Sequence, residues 1–149
     1  MNNRRWIATL SLINAFVAFY LHLWKLGKTG KIACAIGGHG CEYIMTSAYS
    51  YFMHKDVALI GTWGYSALFI VAVIAGLDQL ANKKWPTLLL MLFIWPAFLF
   101  TARLKYYEWF VLHGFCQWCF VNVVIVIACA VLVTRDWRRV RTAAAAAAT

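Results

Sequence analysis

The chain has 149 residues, 64% of them apolar and 13% charged, whereas soluble domains average about 45–50% apolar and about 25% charged residues. One domain of this length cannot bury so much apolar surface in a soluble core, so lipid must cover part of it. The net charge of +9 is spread over connections and tails. It forms no basic stripe, which excludes a nucleic-acid-binding protein.

Four segments without Asp, Glu, Lys or Arg approach or exceed the roughly 20 residues that a membrane-spanning helix needs. They cover residues 6–24, 57–77, 85–102 and 109–134. Tryptophan marks many of their ends, as is typical of the membrane–water interface. The sequence therefore predicts an all-α integral membrane protein, a four-transmembrane-helix bundle in a single domain over residues 1–142. Residues 143–149 are interpreted as a low-complexity, alanine-rich tail.

The distribution of basic residues predicts the orientation of this bundle. The side that holds both termini carries eight: Arg4, Arg5, Lys83, Lys84, Arg135, Arg138, Arg139 and Arg141. The other side carries six, Lys25, Lys28, Lys31, Lys55, Arg103 and Lys105, diluted by three acidic residues. Because short cytoplasmic loops carry the excess of Lys and Arg, we expect both termini in the cytoplasm.

The connection over residues 25–56 is the only long one between two spans. Its first half is rich in glycine, which favours a flexible or sharply turned chain. From Glu42 to Met53 there is no glycine or proline, and apolar residues recur at helical spacing. We expect a short helix there, lying on the extracytoplasmic membrane surface.

The motif Cys116-Gln-Trp-Cys119 places two cysteines at the outer end of the fourth span. Residues three apart share a helix face, so the two sulfurs can bridge. Cys116 is expected in or before the first helical turn, where free N–H groups and the helix dipole favour a thiolate. Cys119 lies one turn deeper, where a membrane-soluble oxidant has better access. A structural disulfide is the alternative interpretation.

A second pair, Cys34 and Cys41, lies in the glycine-rich loop on the same predicted side. Such a loop can fold back and form a disulfide, which is either a mobile redox pair or a static staple. Two pairs on one face favour the redox interpretation, because a thiolate can attack a neighbouring disulfide. Cys129, deep in the fourth span, is interpreted as a small core residue.

Metal binding was weighed against this interpretation. The four paired cysteines with His39 and His113 are of the types that hold zinc. The spacing of Cys34, His39 and Cys41 is unusual for a structural zinc site, so no metal site is predicted. Phe120, rather than histidine, follows Cys119, which excludes c-type haem attachment.

Taken in order, these residues carry a resemblance to a known family. A span is followed by Cys34, a glycine-rich stretch, Cys41 with Ser47 six residues later, further spans, and a C-x-x-C motif that opens the last one. This pattern resembles the bacterial branch of the vitamin K epoxide reductase family over residues 5–140. The four spans are expected to act without a fused thioredoxin-like domain.

The resemblance implies a multi-pass thiol:quinone oxidoreductase of the cytoplasmic (inner) membrane that generates disulfides for oxidative protein folding. Cys34 and Cys41 would exchange disulfides with a separate, extracytoplasmic thioredoxin-like protein. Cys41 would pass electrons to Cys116, and Cys119 would reduce a quinone of the ubiquinone, menaquinone or vitamin K type. Ser47 matches a family serine near the active centre.

The expected quinone pocket lies near the outer ends of the spans, with Ser47, Trp63, Tyr65 and Phe115 as candidate contacts. Vertebrate members contact vitamin K through an asparagine and a tyrosine at places that hold Ile60 and Val123 here. Reduction of vitamin K quinone or its epoxide is therefore an alternative. A related disulfide-forming quinone reductase has the two cysteine pairs in the reverse order. A Cys/His metal-binding membrane protein and a purely structural protein with two disulfides are the alternatives from other classes.

Overall fold

The computed structural model describes residues 3–32, 34, 40–80 and 83–146. Its helices are α1 (Asn3–Lys25), α2 (Gly40–Thr46), α3 (Val57–Ala75), α4 (Lys84–Phe110) and α5 (Gln117–Ala146). Three-residue 3-10 helices cover Ala48–Ser50 and Asp78–Leu80. Strands β1 (Tyr51–Phe52) and β2 (Lys55–Asp56) pair antiparallel in a small hairpin.

The four long helices close into a ring. Helix α1 packs against α3 and α5, and α4 packs against the same two helices. All four are long and apolar enough to cross a membrane. Large apolar side chains such as Phe16, Leu92 and Leu99 are exposed on the outside of the ring, where water would be unfavourable and lipid is not. The prediction of an all-α integral membrane bundle is confirmed.

The last two helices end later than their charge-free stretches, and the last one also begins later. Helix α4 continues through Arg103, Lys105 and Glu108 to Phe110, and α5 begins only at Gln117. Trp109, predicted to open the fourth span, therefore lies in the last turn of α4. Lys105 and Glu108 pair three residues apart on α4, so these charges continue the helix instead of ending it.

The predicted surface helix is shorter than the stretch from Glu42 to Met53. Helix α2 ends at Thr46, and Tyr51 and Phe52 form a strand. Ser47 donates to the Ile44 carbonyl at 2.7 Å and Ser50 donates to the Met45 carbonyl at 2.6 Å. These hydroxyls bond the last carbonyls of α2 in place of further helical N–H groups, which ends the helix. Gly37, Gly38 and His39 lie outside the described residues.

One buried arginine joins the four long helices at the end that holds both termini. Arg4, fully buried on α1, donates to Asp136 of α5 at 2.7 Å and to Thr87 of α4 at 2.7 Å. It also donates to the Ala75 carbonyl at the end of α3 and to the carbonyl of Leu80, each at 2.7 Å. Buried charges are tolerated when they are paired and hydrogen-bonded in this way.

Candidate functional site

The C-x-x-C pair stands at the start of α5, with Cys116 directly before the first helical residue. The Cys119 N–H donates to the Cys116 sulfur at 3.2 Å. This is the geometry of a helix N-cap, in which the side chain before a helix accepts from the third N–H inside it. Sulfur occupies the place that serine or aspartate oxygen usually takes. The position predicted for Cys116 is confirmed, and the helix dipole there favours negative charge on sulfur.

These contacts lower the pKa of Cys116. The Cys119 thiol donates to its sulfur and has the largest effect, and the Cys119 N–H adds to it; burial acts in the opposite direction and is outweighed. Cys116 is fully buried and Cys119 is half-buried, and neither is in a disulfide. The arrangement favours the thiolate form of Cys116 beside a second thiol, and disulfide exchange uses both.

A buried acidic side chain of α4 fixes Cys116 in place. Glu108, 2% exposed on α4, accepts from the Cys116 backbone N–H at 2.8 Å. The same carboxylate oxygen accepts from Lys105 at 2.7 Å. The Lys105 ammonium lies 5.2 Å from the Phe115 ring centroid and 5.7 Å from that of Phe120. In the sequence, Glu108 falls between the third and fourth charge-free stretches, so no local pattern marked it as a contact of Cys116.

The loop pair forms a disulfide between Cys34 and Cys41, whose Cα atoms are 6.5 Å apart. Cys34 is half-buried, whereas Cys41, on α2, is fully buried. Cys41 and Cys116 belong to one apolar cluster, with Cys34 and Cys119 packed against it. The structure therefore brings the four predicted cysteines together at one end of the bundle.

Glycine at the start of α2 permits this close approach. A Cβ at Gly40 would lie 2.9 Å from the Phe115 carbonyl oxygen, closer than real Cβ contacts. Helix α2 therefore packs directly on the backbone that precedes Cys116. Cys41 follows Gly40, so the same contact positions its sulfur near the C-x-x-C pair.

A cavity of about 450 Å³ opens between the four long helices beside Cys119. Its lining is mainly apolar, with a few polar side chains, as is usual for small-molecule sites. Tyr49 stacks on Tyr107 of α4 at 4.7 Å between ring centroids, and Phe52 meets Phe100 at 5.4 Å. The segment after α2 thus covers the cavity, which has the size and character to hold a quinone ring.

The predicted quinone contacts fall in two groups. Ser47 and Tyr65 line the cavity. Trp63 is 74% exposed on the outside of α3, and Phe115 contacts Lys105 instead; neither borders the cavity. Ile60 and Val123 both line it, at the places where vertebrate family members carry polar contacts.

Two asparagines that the sequence analysis did not single out also border the cavity. Asn14 of α1 donates to the Asn122 side-chain oxygen of α5 at 2.6 Å, and Tyr65 donates to the same oxygen at 2.6 Å. Asn122 donates in turn to Thr101 of α4 at 3.4 Å. Asn122 stands three residues after Cys119, on the same face of α5.

Across residues 3–32, 34, 40–80 and 83–146, no three or more His, Cys, Asp or Glu side chains gather into a group that could hold a metal ion. His39, one of the residues weighed for zinc, is outside these ranges.

Comparison with protein families accounts for this combination of spans, cysteine pairs and cavity. The model of the vitamin K epoxide reductase family matches residues 5–134, which is most of the chain. The family is one of membrane oxidoreductases associated with disulfides and with quinone or vitamin K. The match covers all four cysteines of the site and the resemblance noted in the sequence is confirmed. The chain belongs to the vitamin K epoxide reductase family.

Proposed function

We propose that this protein is a disulfide-generating thiol:quinone oxidoreductase, which takes electrons from a reduced thioredoxin-like protein and passes them to a quinone. The observation that carries the proposal is the gathering of Cys34, Cys41, Cys116 and Cys119 in one cluster, of which Cys119 lines the cavity. Family membership supports an oxidoreductase. The separate partner and the order of electron transfer rest on the placement of the cysteines.

The partner meets Cys34, the more accessible sulfur of the loop disulfide. A partner thiolate attacks Cys34, and the second partner thiol then completes a partner disulfide, leaving Cys34 and Cys41 as two thiols. Exchange of this kind depends on access to the sulfur that is attacked. Complete burial of Cys41 supports its role as the inner member, which faces the C-x-x-C pair.

Cys41 transfers the electrons inward. As a thiolate it attacks the Cys116 sulfur of a Cys116–Cys119 disulfide, so a Cys41–Cys116 bond forms and Cys119 leaves as a thiolate. Cys34 next attacks Cys41, which restores the loop disulfide and leaves Cys116 reduced. The structure has this combination, with Cys34 bonded to Cys41 and the other two cysteines free. Once the Cys119 thiolate has taken up a proton, its thiol donates to the departing Cys116 sulfur, and the lowered pKa that results makes Cys116 a good leaving group in the second exchange.

Cys119 delivers the electrons to the cavity that it lines. The Cys116 and Cys119 thiols lose two electrons and two protons and become one disulfide. A quinone bound there supplies the electron acceptor and leaves as hydroquinone, so atoms and charge balance. Glu108 keeps Cys116 in place through its backbone N–H during both exchanges.

The charge distribution supports placing both termini in the cytoplasm and all four cysteines on the extracytoplasmic side, where disulfides persist. An impermeant maleimide added to intact cells after reduction is expected to label Cys34. Labelling of Cys34 only after the membrane is opened would contradict this orientation.

The redox proposal is tested with the purified protein in lipid nanodiscs, given a reduced thioredoxin-like protein and a short-chain quinone. Cys119→Ala is expected to abolish quinone reduction, followed by absorbance. Cys129→Ala is the matched control, because Cys129 is a buried core cysteine away from the cavity beside Cys119, and it should keep the wild-type rate. Undiminished quinone reduction by Cys119→Ala would refute the proposed path.

A further inference from the structure

Asn14 of α1 and Asn122 of α5 form a hydrogen-bonded pair that lines the same cavity as Cys119. Asn14 is 1% exposed and its side-chain oxygen has no hydrogen-bond partner among the described residues. Leaving a buried acceptor unpaired costs about 1–3 kcal/mol. Asn14 is a lining residue of the cavity, so a molecule bound in the cavity is the available source of the missing donor.

The same cluster also offers a hydrogen-bond donor. The Asn122 amide nitrogen carries two N–H groups, and within the described chain it makes one hydrogen bond, to Thr101. Its oxygen is already engaged by Asn14 and Tyr65. The pair therefore presents an unused acceptor on Asn14 and an unused donor on Asn122, both on side chains that line the cavity.

These two groups match the two oxidation states of one ligand. A quinone oxygen is a carbonyl and needs a donor, whereas a hydroquinone oxygen carries a hydrogen and needs an acceptor. Cys119 and Asn122 are three residues apart, so they are separated by about 4.5 Å along α5. That rise is similar to the distance between the two oxygens of a quinone ring, so Cys119 and the asparagine cluster can face opposite ends of one ring in the cavity that both line.

We propose that Asn14 and Asn122 form the subsite for the quinone oxygen farthest from Cys119, with Asn122 donating to the quinone carbonyl and Asn14 accepting from the hydroquinone hydroxyl. This inference rests on the proposed function and adds the residues that select the ligand. Ile60 and Val123 are apolar and supply no such contact. The hydrogen bonds instead come from the facing sides of α1 and α5.

The test compares equilibrium binding of a short-chain hydroquinone with that of its dimethyl ether, which lacks both O–H donors. It is done without oxygen, by titration calorimetry, in protein carrying Cys119→Ser, so that no electrons are exchanged. The background protein should prefer the hydroquinone about tenfold, the contribution of about one buried hydrogen bond. Equal binding of the two compounds would overturn the proposal without any further variant.

Adding Asn14→Leu should reduce this preference about tenfold, and so should Asn14→Ala, which introduces no bulk. Ser11→Ala is the matched control: Ser11 is a buried polar residue of α1 that bonds its own helix and lies outside the lining of this cavity. It should keep the preference. An unchanged preference in an Asn14 variant would overturn the subsite.

Failure of the subsite and failure of the proposed function give different results. If the wild type reduces a quinone but the Cys119→Ser protein shows no hydroquinone preference, the function holds and the subsite is lost. If the Cys119→Ser protein binds hydroquinone selectively but the wild type does not reduce a quinone, the subsite holds as a binding site and the redox function is lost.

Discussion

At the scale of single residues, the site depends on polar groups that are buried and paired. Cys116 serves as the N-cap of α5, and Glu108 accepts from its backbone N–H. Cys116 therefore caps the helix, and the same position favours its thiolate form. The cysteine spacing predicted the first contact, because a residue just before a helix meets the N–H groups of its first turn. The second contact crosses from α4 to α5, and no local pattern predicts it.

Asp56 provides a similar anchor at the start of α3. It caps the helix by accepting from the Ala58 N–H at 3.1 Å, and it pairs with Lys25 at 2.7 Å and His22 at 2.9 Å. Burial raises the pKa of Asp56. The hydrogen bonds from Lys25 and His22 and the lysine charge together lower it by more, so the net pKa is below the ordinary value. One carboxylate thus ties the C-terminal end of α1 to the start of α3.

We predict that this carboxylate makes stability depend on pH. Because the pKa of Asp56 is lower in the folded state, its contribution is complete above the unfolded pKa and is lost as pH falls through the folded pKa. Asp56→Asn keeps a capping oxygen but removes the charge. As pH falls through the folded-state pKa of Asp56, the unfolding temperature of this variant should therefore decrease less than that of the wild type. Parallel pH curves for the two proteins, measured in detergent, would contradict the prediction.

At the scale of helices and strands, composition predicted the spans better than their ends. Charge-free runs located all four long helices, because lipid contact demands apolar residues. The predicted end of the third span was wrong, because Lys105 and Glu108 neutralise each other within α4 and the helix continues past them. The helix in the first loop was predicted to reach Met53, whereas the hydroxyls of Ser47 and Ser50 end it near Thr46.

The contact of α2 with the segment before α5 gives a prediction about electron transfer. Gly40→Ala places a methyl group 2.9 Å from the Phe115 carbonyl oxygen, so α2 must shift and carry Cys41 away from Cys116. Quinone reduction should slow, while reduction of the Cys34–Cys41 disulfide by the partner is maintained. Quenched-flow thiol trapping measures the two steps separately.

Gly30→Ala is the control for this variant, because a Cβ at Gly30 meets nothing within 4 Å. It should leave both steps at the wild-type rate. Equal rates of quinone reduction in Gly40→Ala and the wild type would show that close packing of α2 is not needed.

At the scale of the whole molecule, the two ends of the bundle have different tasks. The end with the cysteines holds a cavity and buried thiols, whereas the opposite end is tied by Arg4 and Asp136. In the sequence, Arg4 stands out only as one of the basic residues that predict the orientation of the bundle. Its partner is 132 positions away, and pairing over such a distance follows from the closed ring of helices, which composition alone does not specify.

We predict that Arg4→Met lowers the free energy of unfolding by about 3–5 kcal/mol, because it leaves Asp136 buried without its main partner. Arg4→Met combined with Asp136→Leu should recover most of this loss. Arg5→Met is the control, because Arg5 and its partner Asp78 are exposed and 3.8 Å apart. Equal loss in the Arg4 and Arg5 variants, measured by denaturation in mixed micelles, would contradict the central role of Arg4.

Exchange of disulfides between the loop pair and the C-x-x-C pair must pass through a bond that joins the two pairs, and this bond can be trapped. Cys119→Ser removes the thiol that would otherwise bridge to Cys116. Membranes carrying this variant are blocked with an alkylating agent, and the disulfides are mapped by peptide mass spectrometry without reduction. We predict a peptide that joins Cys41 to Cys116. Detection of the Cys34–Cys41 bond alone, with Cys116 alkylated as a free thiol, would contradict the account.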